Sequence, residues 1–154
     1  MTDVAVNSRD GVLRGRVPQG WFSATEDSLG SAVTLLLIHD IGGATLTVTP
    51  VILDNLALQH IQNHGLMLLA RISASVRSRE ADVTVTESQE FEIRGKKFCG
   101  YETTGGVMSS RVVVFSRGGK YYECEVRGGA NDKGRENLTR LFTAQQSFLA
   151  SLAF

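Results

Sequence analysis

His60 and His64 stand four residues apart in the stretch HIQNH, so on a helix both imidazoles project from one face at a spacing that can grip a metal. A metal site needs three or four ligands, and the intervening Ile-Gln-Asn lacks the glutamate of the zinc-protease pattern. His39 or Asp40 could supply a third ligand, but nothing in the spacing brings them near. The two histidines also fall inside the apolar arc of their helix, which favours a buried or interfacial hydrogen-bonded pair, with partial solvent exposure at a helix end as the alternative. Burial would keep them neutral, and acid would then charge them and loosen the helix. No metal and no cofactor is expected.

The other reactive types read as structural. A reactive thiol wants a neighbouring cation or a helix N-terminus, whereas Cys99 and Cys124 lie mid-strand, with Lys96 and Lys97 pointing along or across the strand. Glu123 and Glu125, two apart on one strand face, would sit about 6–7 Å apart, a separation that carboxylate hydrolases use. With Arg127 beside them, and Glu90, Glu92 or Arg111 to add, they read instead as a solvated surface patch. Trp21 follows Pro18 and Gly20 and reads as a packing anchor rather than a ligand platform. Trp21, Glu123 and Glu125 are the residues to watch for a surface or interaction role. The glycine pairs carry no phosphate-loop pattern; Gly128-Gly129 precedes a helix, but Asp132 there would repel an anion. No catalytic constellation converges, so the chain is not expected to be an enzyme.

The elements that must hold these residues centre on Phe91–Arg127, four strands in a meander with turns at Arg94-Gly95, Gly105-Gly106 and Gly118-Gly119. Counting outward from two-residue loops sets Phe91 against Phe98, Phe98 against Val113 and Val113 against Cys124, with Tyr122 and Val126 on the same face. Cys99 and Cys124 then point to opposite faces of strands about 9–10 Å apart, beyond disulfide reach. Two free thiols suit a reducing compartment without excluding export. Upstream, Val4–Val6 and Val12–Val17 read as short strands around Asn7–Gly11. Ala32–Ile38 reads as a strand buried on both faces, and Ala44–Thr49 as its partner after Gly42-Gly43. Thr49-Pro50 opens a helix that could stop at Gly65 or run on to about Ser75, the longer version being favoured with Gly65 as a weak point. Its arc takes in Ile52, Leu53, Leu56, Ala57, His60, His64, Met67 and Leu68. The polar Ser73–Ala81 stretch reads as a loop and Asp82–Glu90 as extended chain. The last helix spans Asp132 to about Leu152, with a sheet-facing stripe from Leu138 to Leu152 that includes Gln145.

The 154 residues are 42% hydrophobic, enough for one domain with a substantial core. The 16 basic and 16 acidic side chains cancel and are scattered, which argues against a nucleic-acid partner. No run approaches the length of a membrane span, and the first residues carry no signal-peptide pattern. The expected compartment is the cytoplasm if the sequence is complete, and the bacterial cell envelope if a leader precedes it.

In order, these pieces are a strand ending in VPQGW, an apolar strand, a helix, the I-x-G hairpin of Glu92–Gly95, two strands and a closing helix with Ser147-Phe148. This layout resembles the PsbP-like superfamily, which includes the extrinsic photosystem protein, a small Ran-binding protein and bacterial envelope lipoproteins. The resemblance implies an α+β fold over residues 1–154, a predominantly antiparallel β-sheet sandwiched between helices. It carries over no active-site residue. It implies a non-enzymatic binding or adaptor protein whose partner is another protein. The alternative is a small-ligand or metal-binding protein with a helix–sheet pocket near His60 and His64.

Overall fold

Two tight turns fix the register of the central strands. In the structure, a computed structural model that describes residues 4–24, 32–40, 43–105, 109–128 and 135–153, Arg94 and Gly95 both have positive φ, as do Gly118 and Gly119. That is the requirement of a type I′ hairpin, whose twist matches that of the strands it joins. Strand β7 (Gln89–Ile93) therefore folds back on β8 (Lys96–Gly105), and β9 (Ser110–Arg117) on β10 (Lys120–Arg127). Phe91 faces Phe98 and Val113 faces Cys124, as counting from the turns requires.

The middle connection departs from a two-residue loop. Thr103 pairs with Ser110, and Val113 faces Gly100 rather than Phe98. Gly106, half of the expected turn, lies outside the described residues. The extension lets Thr104 and Gly105 continue β8 and pair with β6 (Val83–Val85). The slip amounts to two residues, so every side chain keeps its face. What changes is the row: the rings of Phe91, Phe98, Phe115 and Tyr122 now follow one another at 5.9, 5.8 and 5.5 Å.

The sheet continues on the other side of β10 through β5 (Thr45–Val51), β4 (Leu35–His39) and β3 (Trp21–Ser23), every pairing antiparallel. Pro50, expected at a helix start, instead lies inside β5, opposite Tyr122. It is tolerated there because Val48, two residues earlier, turns its carbonyl to Thr34 on the β4 side. The Pro50 nitrogen points to the same side, beyond the end of β4, so no ladder bond is lost. Leu35 and Leu37 are fully buried while Leu36 and Ile38 are half-buried, so β4 is covered on one face rather than two.

Helices cover the sheet from both sides. On one face, α3 (Arg135–Ser151) lays Leu141, Phe148 and Leu149 on the aromatic row, with Leu152 just beyond its end. Gln145 sits in this stripe fully buried, its amide N–H groups donating to the carbonyls of Arg111 at 3.0 Å and Cys124 at 2.8 Å. The expected helix start at Asp132 lies outside the described residues. The small hairpin of β1 (Ala5–Asn7) and β2 (Arg14–Arg16) closes this side, and the Ala153 N–H donates to the Arg14 carbonyl. On the opposite face lie α1 (Asn55–His64) and α2 (Leu66–Arg77). This is an α+β sandwich with a predominantly antiparallel sheet.

The long helix expected up to Ser75 is two helices. Asp54 caps α1 by accepting from the Ala57 N–H, and Gly65, with φ +89°, ends it and opens α2. Only glycine adopts that backbone without strain. Helix α2 then runs to Arg77, so Ser73, expected in a loop, is a buried helical residue.

Candidate interaction surface

The break at Gly65 decides which apolar side chains meet the sheet. Ile61, Leu69 and Ala70 are buried against Cys99 and Val114, forming a small second core. Of the predicted apolar arc, Leu53, Met67 and Leu68 pack half-buried against this core, while Ile52 is 93% exposed and Leu56 65%; Ile72 and Val76, outside that arc, are 46% and 56% exposed. Helix α2 carries two apolar rows, one facing the sheet through Leu69, Ala70 and Ser73, and a second at Leu68, Ile72 and Val76. Spacing by four puts this second row on one side of the helix, where Ile72 and Val76 are exposed and Leu68 is half-buried against the second core. Between this row and α1 lies an open, largely apolar groove of about 660 Å³, walled by Leu53, Ile61, Leu68 and Ile72.

His60 and His64 stand on the rim of this groove. Both are exposed, their rings nearly parallel with centroids 6.1 Å apart. The expected burial of the pair is therefore corrected, because the sheet-facing side of α1 is centred on Ile61 instead. The groove lies between the two helices on their outer side, not between helix and sheet. Among the described residues no group of three His, Cys, Asp or Glu is placed to hold a metal ion. Arg71 is exposed on the same rim and forms no ion pair among the described residues.

Beneath α2 lies a polar cluster that the sequence did not reveal. The Ser73 hydroxyl donates to the Glu123 carboxylate, which leaves Tyr101, 2.6 Å away, to donate to Ser73 Oγ. Arg77 Nη1 donates to Tyr101 at 2.8 Å, to Ser73 at 3.0 Å and to Glu123 at 3.2 Å. Arg77 also pairs with Glu125, which Arg127 holds from the other side at 3.2 Å. Glu123 and Glu125 thus form a half-buried ionic clasp, not the solvated patch expected. Burial pushes the Tyr101 hydroxyl up to about 12, against the lowering effects of Ser73 and Arg77. It therefore stays a neutral donor. With these atoms partnered to one another, the chemistry of the cluster is to fasten α2 to β8 and β10. The signal for it was the alternation in β10, where glutamates face the side opposite Tyr122, Cys124 and Val126.

The remaining candidates are interior. Trp21 is buried, its ring 5.3 Å from His39, and sits in the main core as an anchor. Cys99 and Cys124 are both free and buried, on opposite faces of the sheet. Burial raises both thiols, Cys124 to about 12, which disfavours the thiolate. Among the described residues no helix is long and apolar enough to cross a membrane.

No protein-family model matches this sequence, and no curated protein matches it. Solved structures do. The solution structure of cyanobacterial PsbP (CyanoP) from Synechocystis sp. PCC 6803 superposes with a TM-score of 0.60 at 9% identity, covering 97% of this chain and 91% of that one. A point mutant of protein Mog1 gives 0.62 at 7% identity, over 99% and 96%. LpqN, involved in cell envelope biogenesis of Mycobacterium tuberculosis, gives 0.56 at 10% identity, over 93% and 86%. These likenesses span both helical layers and the sheet between them, and the chain has the PsbP-like fold.

Proposed function

We propose that this chain is a non-enzymatic binding or adaptor protein that works by protein–protein contact through the outer face of α1 and α2. The observation that carries this reading is the groove lined by Leu53, Leu68 and the exposed Ile72, on helices that also leave Leu56 and Val76 exposed. Exposed apolar patches mark interaction sites on soluble proteins. The coverage of the structural neighbours supports treating residues 1–154 as one domain of this fold. The involvement of LpqN in cell envelope biogenesis supports a cell-envelope setting.

The test is capture from native cells of the wild-type chain beside a Leu56→Asp, Ile72→Asp double variant and a Gln146→Asp control on α3. A stoichiometric partner should appear with wild type and control and vanish with the double variant. A partner kept by the double variant, or none with wild type, would overturn the reading.

The rival is a metal- or small-ligand-binding role at the paired imidazoles of His60 and His64. We expect Zn²⁺ to leave the melting temperature of the wild type and of a His60→Ala, His64→Ala variant unchanged. Stabilisation of the wild type alone would move the assignment to that rival.

A further inference from the structure

The chemistry of the groove specifies its occupant, an inference that rests on the interaction reading above. Helix α2 spans about 18 Å at 1.5 Å per residue, the length of three helical turns. Leu68 and Ile72 of its outer row form one wall, with Val76 one turn beyond it, and Leu53 and Ile61 beside and on α1 form the other. Two apolar walls with a trough between them match the apolar stripe of an amphipathic helix, which offers side chains at i, i+3, i+4 and i+7.

Charge narrows the choice. Neither Asn55–His64 nor Leu66–Arg77 contains an aspartate or glutamate. The polar groups on the rim are the Arg71 guanidinium and the imidazoles of His60 and His64. Arg77, the other cation of α2, is already held by Glu123 and Glu125 beneath the helix. Arg71 forms no ion pair among the described residues. A lysine-rich segment would face a like charge here, whereas carboxylates would find a planar donor fork and two ring N–H donors. A second copy of this chain docking through the same face would bring its own α1 and α2, which contain no carboxylate and whose one acidic cap, Asp54, already accepts from the Ala57 N–H.

We infer that the α1–α2 groove receives an amphipathic helical segment of a partner protein, its apolar stripe on Leu53, Leu68 and Ile72 and its flanking carboxylates on Arg71, His60 and His64.

The probe is a set of three fluorescent, helix-stapled 15-residue peptides that share one leucine stripe and carry glutamate, glutamine or lysine on the flanks. Anisotropy titrations use the full chain, with circular dichroism confirming that each variant is folded. The glutamate peptide should bind about tenfold or more tighter than the lysine peptide, since like-charge juxtaposition costs one to several kcal/mol. Ile72→Asp should abolish its binding, and Arg71→Glu should reverse the preference towards lysine.

Equal binding of all three peptides, binding indifferent to Arg71→Glu, or no binding would overturn the inference. So would binding to phosphatidylserine vesicles in place of the peptides. If a native partner is lost with the Leu56→Asp, Ile72→Asp variant while the peptides show no glutamate preference, the interaction reading stands and the occupant's chemistry falls. If the glutamate peptide binds as described but no native partner depends on this face, the reverse holds.

Discussion

The two faces of this sheet are built on opposite terms. Under α3 the contacts are aromatic and dry: Phe98, Phe115, Tyr122 and Phe148 are all at most 1% exposed. Under α1 and α2 the packed apolar cluster is five buried residues among those described, and an ionic cluster of Arg77, Glu123 and Glu125 supplements it. The first face puts most of its apolar side chains to work on the sheet, whereas the second turns a row of them outward. Burial energy is roughly proportional to apolar area removed from water, so exposed leucine and isoleucine leave stabilisation unrealised. A partner would realise it.

The largest effect should come from cutting into the dry face. Phe98→Ala should cost about 3–5 kcal/mol in equilibrium denaturation, through lost transfer energy and the cavity left between Phe91 and Phe115. A loss below about 1 kcal/mol would mean that the aromatic row does not hold the sheet against α3.

The ionic clasp should matter less. Glu123→Ala removes one of the two carboxylates that pair with Arg77 and the acceptor of the Ser73 hydroxyl, and with both charged side chains about a fifth exposed the cost should be about 1–3 kcal/mol. Because a buried pair is weak evidence of net stabilisation, the Arg77→Met, Glu123→Leu double variant should recover most of that loss. Failure to recover would show that the pair carries net stability of its own.

The clasp also predicts a limb at high pH. The Tyr101 hydroxyl is raised from 10.0 to about 12, so the folded state holds this proton more tightly than the unfolded chain. Its contribution is complete below pH 10 and is lost as pH rises towards 12, a loss that Tyr101→Phe should remove. Asp10 gives the converse limb on the other face. Burial acts to raise it, but hydrogen bonds from Ser8, Tyr122 and the Val12 N–H, with the charge of Lys120, hold it below its ordinary 3.8. Its contribution is present above that value and disappears as pH falls through the folded pKa; Asp10→Asn should flatten the acid limb.

The smallest effect on stability should come from the outward row. Ile72→Asp should shift stability by no more than about 1 kcal/mol, as expected for an exposed helical position. Its loss should appear in binding instead.

This contrast explains what the sequence revealed. The meander was legible because its turns are glycine-coded: Arg94-Gly95 and Gly118-Gly119 set pairings by simple counting, and the α3 stripe faces a single surface. The longer β8–β9 connection was not, since its length depends on pairing with β6, a strand far away in sequence. Pro50 misled because a proline beyond the end of a neighbouring strand looks locally like a helix start. The groove was hidden for a related reason. Periodicity marks apolar faces but not what covers them, so the arc from Ile52 to Leu68 read as buried until Gly65 divided the helix. The second row of α2, at Leu68, Ile72 and Val76, was the available sign that one helix carried more apolar surface than one sheet contact uses.

On the proposed reading, the outer α1–α2 face is where this protein meets its partner. The most direct test of that reading places a photo-crosslinking amino acid at position 72, and in a separate variant at position 146 on α3, with irradiation in native cells. The account predicts one dominant protein adduct at position 72 and none at position 146. Equal labelling at both positions, or an adduct confined to position 146, would contradict it.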